Sequence, residues 1–157
     1  MRLIAHRGVT DGDYLDKENT YAAIITSILR GYDAEVDVRW HNNQLYFGHD
    51  VPQEKVNPEF IFLFEDCLWI HCKDFESLEY LFLINYKNSI NFFFHDTDDY
   101  TITSKGHFWT YPKKKICQNS AVVCKEEKDL RQALLSDAYA VCSPVVGKIL
   151  KKGQETP

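Results

Sequence analysis

The stretch Asp33-Ala34-Glu35-Val36-Asp37-Val38 constrains this chain more than any other. Polar and apolar residues alternate through it, which is the period of a β-strand. Residues two apart in a strand face the same way. Glu35 and Asp37 therefore point together, and Val36 and Val38 point to the opposite face. Two carboxylates side by side on a rigid strand repel, so something must compensate them. A hard divalent cation such as Mg²⁺ or Ca²⁺, which prefers oxygen ligands, does so. The plain alternative is a strand with one wetted face and two unpaired acids.

The elements around this strand have an α/β order. Leu3-Ile4-Ala5 is a short apolar strand that ends in His6-Arg7-Gly8. Tyr21 to Arg30 carries Ala22, Ile25 and Leu29 at helical spacing with Ile24 and Ile28 beside them, capped by Asn19 or Thr20 and stopped by Gly31. With the strand at Glu35 this is a parallel strand–helix–strand unit. Leu45 to Gly48 reads as a short strand ending at His49-Asp50, and Phe60 to Phe64 as a short helix or an extended apolar piece. Leu68 to Lys73 is a strand, Asp74 caps a helix from Phe75 to Tyr86, and Asn91 to Phe94 is a buried strand ending at His95-Asp96. Asp98 to Gly106 reads as polar with a turn at Gly106. His107–Pro112 and Ser120–Cys124 are strands with no helix between them. Glu126–Ser136 is a helix, Ala138–Cys142 the last strand, and Val145–Lys152 a final short helix before a polar tail.

Seven principal strands, three good helices and mostly parallel order predict a TIM-like barrel. A full eight-stranded barrel needs about 250 residues, and this chain has 157. The expected fold is a reduced (β/α) barrel of about seven mainly parallel strands with several crossover helices missing, as a single domain over residues 1–157. A doubly wound sheet is the alternative.

Composition excludes some functions. With a net charge of −5 and no lysine run longer than Lys113-Lys114-Lys115, the chain has no nucleic-acid footprint. Its five cysteines are odd in number and form no CxxC pair, so they read as reduced thiols of an intracellular protein. Residues Met1 to His6 are too poor in apolar side chains for a signal peptide. No window approaches the ~20 apolar residues of a membrane span. The expectation is a cytoplasmic protein.

In parallel α/β barrels the chemistry collects at the C-terminal ends of strands. Those ends carry His6 and Arg7, Glu35 and Asp37, His49, His71 and Lys73, His95 and Asp96, then Trp109. Four of the six histidines fall there, which favours a site over scattered surface residues.

These residues carry a resemblance. His6-Arg7-Gly8, Glu18-Asn19-Thr20, Glu35-x-Asp37 and Gly48-His49-Asp50 resemble, in order and spacing over roughly the first 50 residues, the signature of the glycerophosphodiester phosphodiesterase family. That family belongs to a superfamily of barrel phosphodiesterases with phosphatidylinositol-specific phospholipase C and spider sphingomyelinase D. The resemblance implies a (β/α) barrel holding one Mg²⁺ or Ca²⁺, with lipid metabolism as its setting. It makes Glu35 and Asp37 metal ligands and His6 and His49 the general acid/base pair. Arg7 and Lys73 would neutralise phosphate oxygens. Glu18 would be a ligand or an orienter of Arg7. His95 and Trp109 would shape the leaving-group side by strand-end position and weak similarity.

The chain departs from that pattern at one point. Where the family reads acid-x-Lys, it reads His71-Cys72-Lys73. His71 is either a substituted ligand, which suits Mn²⁺ or Zn²⁺ better than Mg²⁺, or a sign of altered or lost metal binding. The inserted segment after His49-Asp50 is also short, at about 17 residues before Leu68. The expected function is a metal-dependent phosphodiesterase acting on a small phosphodiester such as a glycerophosphodiester. The alternative is a catalytically inactive phosphate-ligand-binding remnant of the same fold. An open barrel seam would expose a strand edge that a homodimer could cover.

Overall fold

The computed structural model describes residues 1–12 and 15–148. Residues 149–152 of the expected last helix, and the polar tail, lie outside the described residues. The strands are β1 (Arg2–Ala5), β2 (Asp33–His41), β3 (Gln44–Phe47), β4 (Glu54–Lys55), β5 (Leu68–Cys72), β6 (Phe92–Phe94), β7 (Tyr100–Ile102), β8 (Phe108–Thr110), β9 (Ser120–Val123) and β10 (Ala140–Ser143). The helices are α1 (Tyr21–Leu29), α2 (Pro58–Leu63), α3 (Phe75–Ile84) and α4 (Glu127–Leu134). Caps set the helix starts. The Thr20 hydroxyl accepts from the Ala23 N–H at 3.3 Å, and Asp74 Oδ1 accepts from the Ser77 N–H at 2.9 Å.

All ten strands belong to one mixed sheet that curls into a half-barrel. Eight follow one path, β4-β3-β2-β1-β10-β9-β8-β7, and β5 with β6 branches from the other edge of β2. Three of the nine pairings are antiparallel: β2 with β3, β3 with β4, and β7 with β8. A mixed sheet of ten strands, curled into a half-barrel and edged by antiparallel pairs, overturns the expectation of a mainly parallel seven-stranded barrel. The physical reason is connection length. Only Asn42 and Asn43 separate β2 from β3, both in the left-handed region at φ 48 and 59. Two such residues make a hairpin, whereas a parallel return needs a dozen or more. The short segment around Gly106 does the same for β7 and β8. β4 and β7, too short and polar to stand out in the sequence, add the extra strands.

The curl does not close by a ladder. Among the described residues β6 pairs only with β5, and β7 only with β8. Ser104 spans the seam instead. Its N–H donates to the Phe92 carbonyl and its hydroxyl donates to the Ile90 carbonyl, both at 2.8 Å.

Strand alternation sorts the core into layers. Val36, Val38, Ile70 and Cys72 face outward and pack with Ile24, Ile61 and Leu81 under α1, α2 and α3. Leu130 and Ala133 of α4 pack on Val122, Val141 and Cys124. The concave side is filled by Ile4, Trp69, Phe93, Trp109, Ala121, Val123, Ala140 and Cys142. That apolar plug is the floor on which the polar residues one step further along each strand stand.

Gly48 fixes the exit of β3 toward His49. Its φ of +145 is a conformation that L side chains rarely adopt, and a Cβ there would overlap the Val51 carbonyl. Gly48→Ala is expected to destabilise the protein by more than about 1 kcal/mol in urea unfolding; an unchanged midpoint would contradict this account of the turn.

Candidate active site

The same two-residue alternation that fills the floor builds the site. Ile4 is followed by His6, Trp69 by His71 and Lys73, Phe93 by His95, Trp109 by Tyr111, and Val123 by Lys125. The second members line one cavity of about 370 Å³ with Arg7, Glu35, Asp37 and His49.

Glu35 and Asp37 are each 1% exposed. Arg7 holds them through an unusual backbone. It sits in the left-handed region at φ 53, which costs a non-glycine residue on the order of 1 kcal/mol. This turns its N–H onto Glu35 Oε2 at 2.9 Å. Its guanidinium lies between Glu18 Oε2 at 2.8 Å and Asp37 Oδ2 at 2.9 Å. Asn19, 1% exposed and also left-handed at φ 58, clamps Asp37 twice. Its Nδ2 donates to Asp37 Oδ2 at 3.1 Å, and its Oδ1 accepts the Asp37 N–H at 2.8 Å.

These surroundings split the two acids. Burial, with the Asp37 charge beside it, raises the Glu35 carboxyl well above the usual carboxylate range, and Arg7 only partly offsets this. Burial also pushes Asp37 up, but His71, Arg7 and Asn19 outweigh it and hold that carboxyl below its ordinary value. Of the two, Glu35 is therefore the more readily protonated and Asp37 the more readily ionised.

His71 supplies the test of whether a metal fits. Its Nε2 lies 2.9 Å from the His95 carbonyl oxygen, which can only accept, so Nε2 carries a hydrogen. In the neutral ring, Nδ1 then turns a lone pair toward Asp37 Oδ1 at 3.1 Å and Glu35 Oε1 at 3.9 Å. Three lone-pair donors facing one another need a proton, on Nδ1 or on Glu35, or a metal ion among them. One ligand atom from each residue falls within 4.8 Å of the others. A metal-bound imidazole ordinarily donates its far N–H to a carbonyl, as His71 does. The donor set therefore fits a divalent ion, and its imidazole suits Mn²⁺ or Zn²⁺ alongside Mg²⁺.

The remaining groups are arranged around that centre. His6 Nε2 is 4.0 Å from Glu35 Oε2, and burial with the nearby Arg7 charge lowers its pKa to about 4. His49 Nδ1 lies 2.8 Å from Asp50 Oδ1, and its Nε2 lies 3.4 Å from Lys73 Nζ. An ammonium can only donate, so the His49 lone pair is at Nε2. His95 is 6% exposed, and neither ring nitrogen has a hydrogen-bond partner.

The structure brings together every residue singled out from the sequence except Glu18, which stands behind Arg7 as its ion-pair partner. Trp109 contributes mainly floor. It is 3% exposed and packs on Phe93 with ring centres 4.5 Å apart. Sequence reasoning missed Asn19, Tyr111 and Lys125. Asn19 was expected only as one of two candidate helix caps, Asn19 or Thr20, and Thr20 fills that role. Continuing the two-residue alternation past β8 and β9 would have found the other two.

No family model matches the chain, and neither the curated proteins nor the solved structures contain a match to it.

The depressed His6 pKa predicts how stability follows pH. The unfolded chain takes up a proton near 6.5, whereas folded His6 resists protonation until about 4. His6 therefore contributes its full stability above 6.5 and loses it as pH falls toward 4. The melting temperature should fall over that window, and less steeply in His6→Gln; equal slopes in the two proteins would contradict a buried neutral imidazole.

Proposed function

We propose that this protein is a metal-dependent phosphodiesterase acting on a small phosphodiester such as a glycerophosphodiester. The reading rests on one observation: a buried Glu35–Asp37–His71 donor set shares a cavity with His6, His49 and Lys73. Glu35, Asp37 and His71 would hold the ion, which when bound supplies a positive charge to the phosphoryl oxygens. Lys73 adds a second positive charge at the same mouth. Arg7, shared between Glu18 and Asp37, fixes the carboxylates and presents its charge to the cavity. His6, kept neutral by burial, takes the proton of the attacking hydroxyl or water. His49, oriented by Asp50, takes a proton at Nε2 from the Lys73 ammonium beside it and gives that proton to the leaving alkoxide. His95 and Trp109 face the leaving-group side.

The test is hydrolysis of bis(p-nitrophenyl) phosphate with chelator, then with Mg²⁺, Ca²⁺, Mn²⁺ or Zn²⁺ added. Turnover should require an ion, and His6→Ala and His49→Ala should each lose about 10²–10⁴-fold with an unchanged fold. Full activity in both variants would contradict the mechanism. Substitution of an acid by His71 favours the second reading, a phosphate-binding remnant. It predicts anion binding with no turnover of any diester under any ion.

Partners and setting follow from the same reading. The five cysteines are free thiols, in keeping with a cytoplasmic protein. No described helix is long and apolar enough to cross a membrane. The sheet ends at β6 and β7 leave Phe82, Tyr86, Phe94 and Ile102 at 73, 75, 43 and 65% exposure around one groove. Scaled by these exposures, side chains that can each bury ~150–250 Å² offer roughly 500 Å², the larger part of the ~800 Å² per partner of a standard interface. A second copy of the chain is the proposed occupant. Sedimentation should give a dimer that Phe82→Glu/Ile102→Glu dissociates; a monomeric wild-type chain would end this proposal.

A further inference from the structure

The cavity holds more positive charge than one phosphodiester needs. Glu18 and Asp37 answer Arg7, and Lys73 stands against His49 on the β5 side. Lys125 follows β9, and β2, β1 and β10 lie between β5 and β9 along the curl. The two lysines therefore rise from opposing walls. Lys125 Nζ sits 5.5 Å from the centre of the Tyr111 ring and has no ion pair among the described residues. The Tyr111 ring in turn lies 5.1 Å from His95. His95, 6% exposed, lines this part of the cavity, and neither of its ring nitrogens has a hydrogen-bond partner. A buried imidazole left without partners is destabilising unless a ligand or water satisfies it. The exposed Asp98 and Asp96 are the negative groups near His95 on this rim.

Resting on the phosphodiesterase reading, we infer that Lys125, Tyr111 and His95 form a second anion subsite, and that the diester bound here carries a second negative group on its leaving side. Lys125 meets that charge, His95 donates its one ring N–H to its oxygens, and Tyr111 walls the space between them. A leaving group bearing a cation is disfavoured by the same lysine.

The test is calorimetric binding of three probes that share one phosphodiester and differ in charge: glycerophosphocholine, glycerophosphoinositol and glycerophosphoinositol monophosphate. They are titrated with Mg²⁺ present into the full chain carrying His49→Ala, which keeps the diester intact. Affinity should rise with negative charge, by about tenfold from glycerophosphoinositol to its monophosphate. Lys125→Ala should shrink that step below about twofold, Lys125→Arg should restore it, and Lys125→Glu should place the choline probe first. A charge order that survives Lys125→Ala, affinities that ignore charge, or no binding at all would each overturn the subsite. Turnover is read separately on the unsubstituted chain, so the charge order without hydrolysis would retain the subsite while rejecting the enzymatic reading.

Discussion

Two carboxylates buried in the middle of a sheet are the constraint around which the molecule is arranged. Glu35 and Asp37 are almost fully removed from water, side by side on β2. An unpaired buried charge is costly by several kcal/mol, so the chain surrounds them. Arg7 takes up a left-handed backbone to reach Glu35, Asn19 does the same to reach Asp37, and His71 crosses from β5. These contacts tie the loop after β1 and the start of α1 to the centre of the sheet. The arrangement still leaves one lone-pair-rich space, between the two acids and His71 Nδ1, that a positive charge completes.

Much of the fold was legible because its strands alternate cleanly. The two-residue period separates Val36 and Val38, under the helices, from Glu35 and Asp37, in the cavity. Caps at Thr20 and Asp74 and the stop at Gly31 were readable from residue type alone. What was not legible was strand direction. Leu45-Tyr46-Phe47 has the same pattern whether it runs parallel or antiparallel to its neighbour. Only the two-residue Asn42-Asn43 connection decides, because it is too short for a parallel return. Closure was equally hidden, because the seam depends on hydroxyls, Ser104 reaching Ile90 and Phe92 and Thr101 reaching Phe94.

The site was more legible than the topology, since strand ends carry it whichever way the outer strands run. His6, His49, His71 and His95 come from four separate strand ends and meet at one cavity. Asn19 escaped because its role depends on a left-handed backbone that a sequence does not display. Lys125 escaped because a lysine beyond a buried strand looks like solvated surface until the strand's parity is followed past its last apolar residue. Glu18 could be assigned to Arg7 or to a metal from sequence. Its 2.8 Å contact with the guanidinium decides for Arg7.

The claim on which the rest depends is that Glu35, Asp37 and His71 together bind a divalent ion. Mn²⁺ reports this directly by electron paramagnetic resonance, independent of any substrate. The account predicts about one bound ion per chain, with a nitrogen hyperfine coupling from the imidazole that disappears in His71→Gln and with binding lost in Glu35→Ala/Asp37→Ala. Absence of binding, or a bound ion whose spectrum is the same in all three proteins, would contradict it.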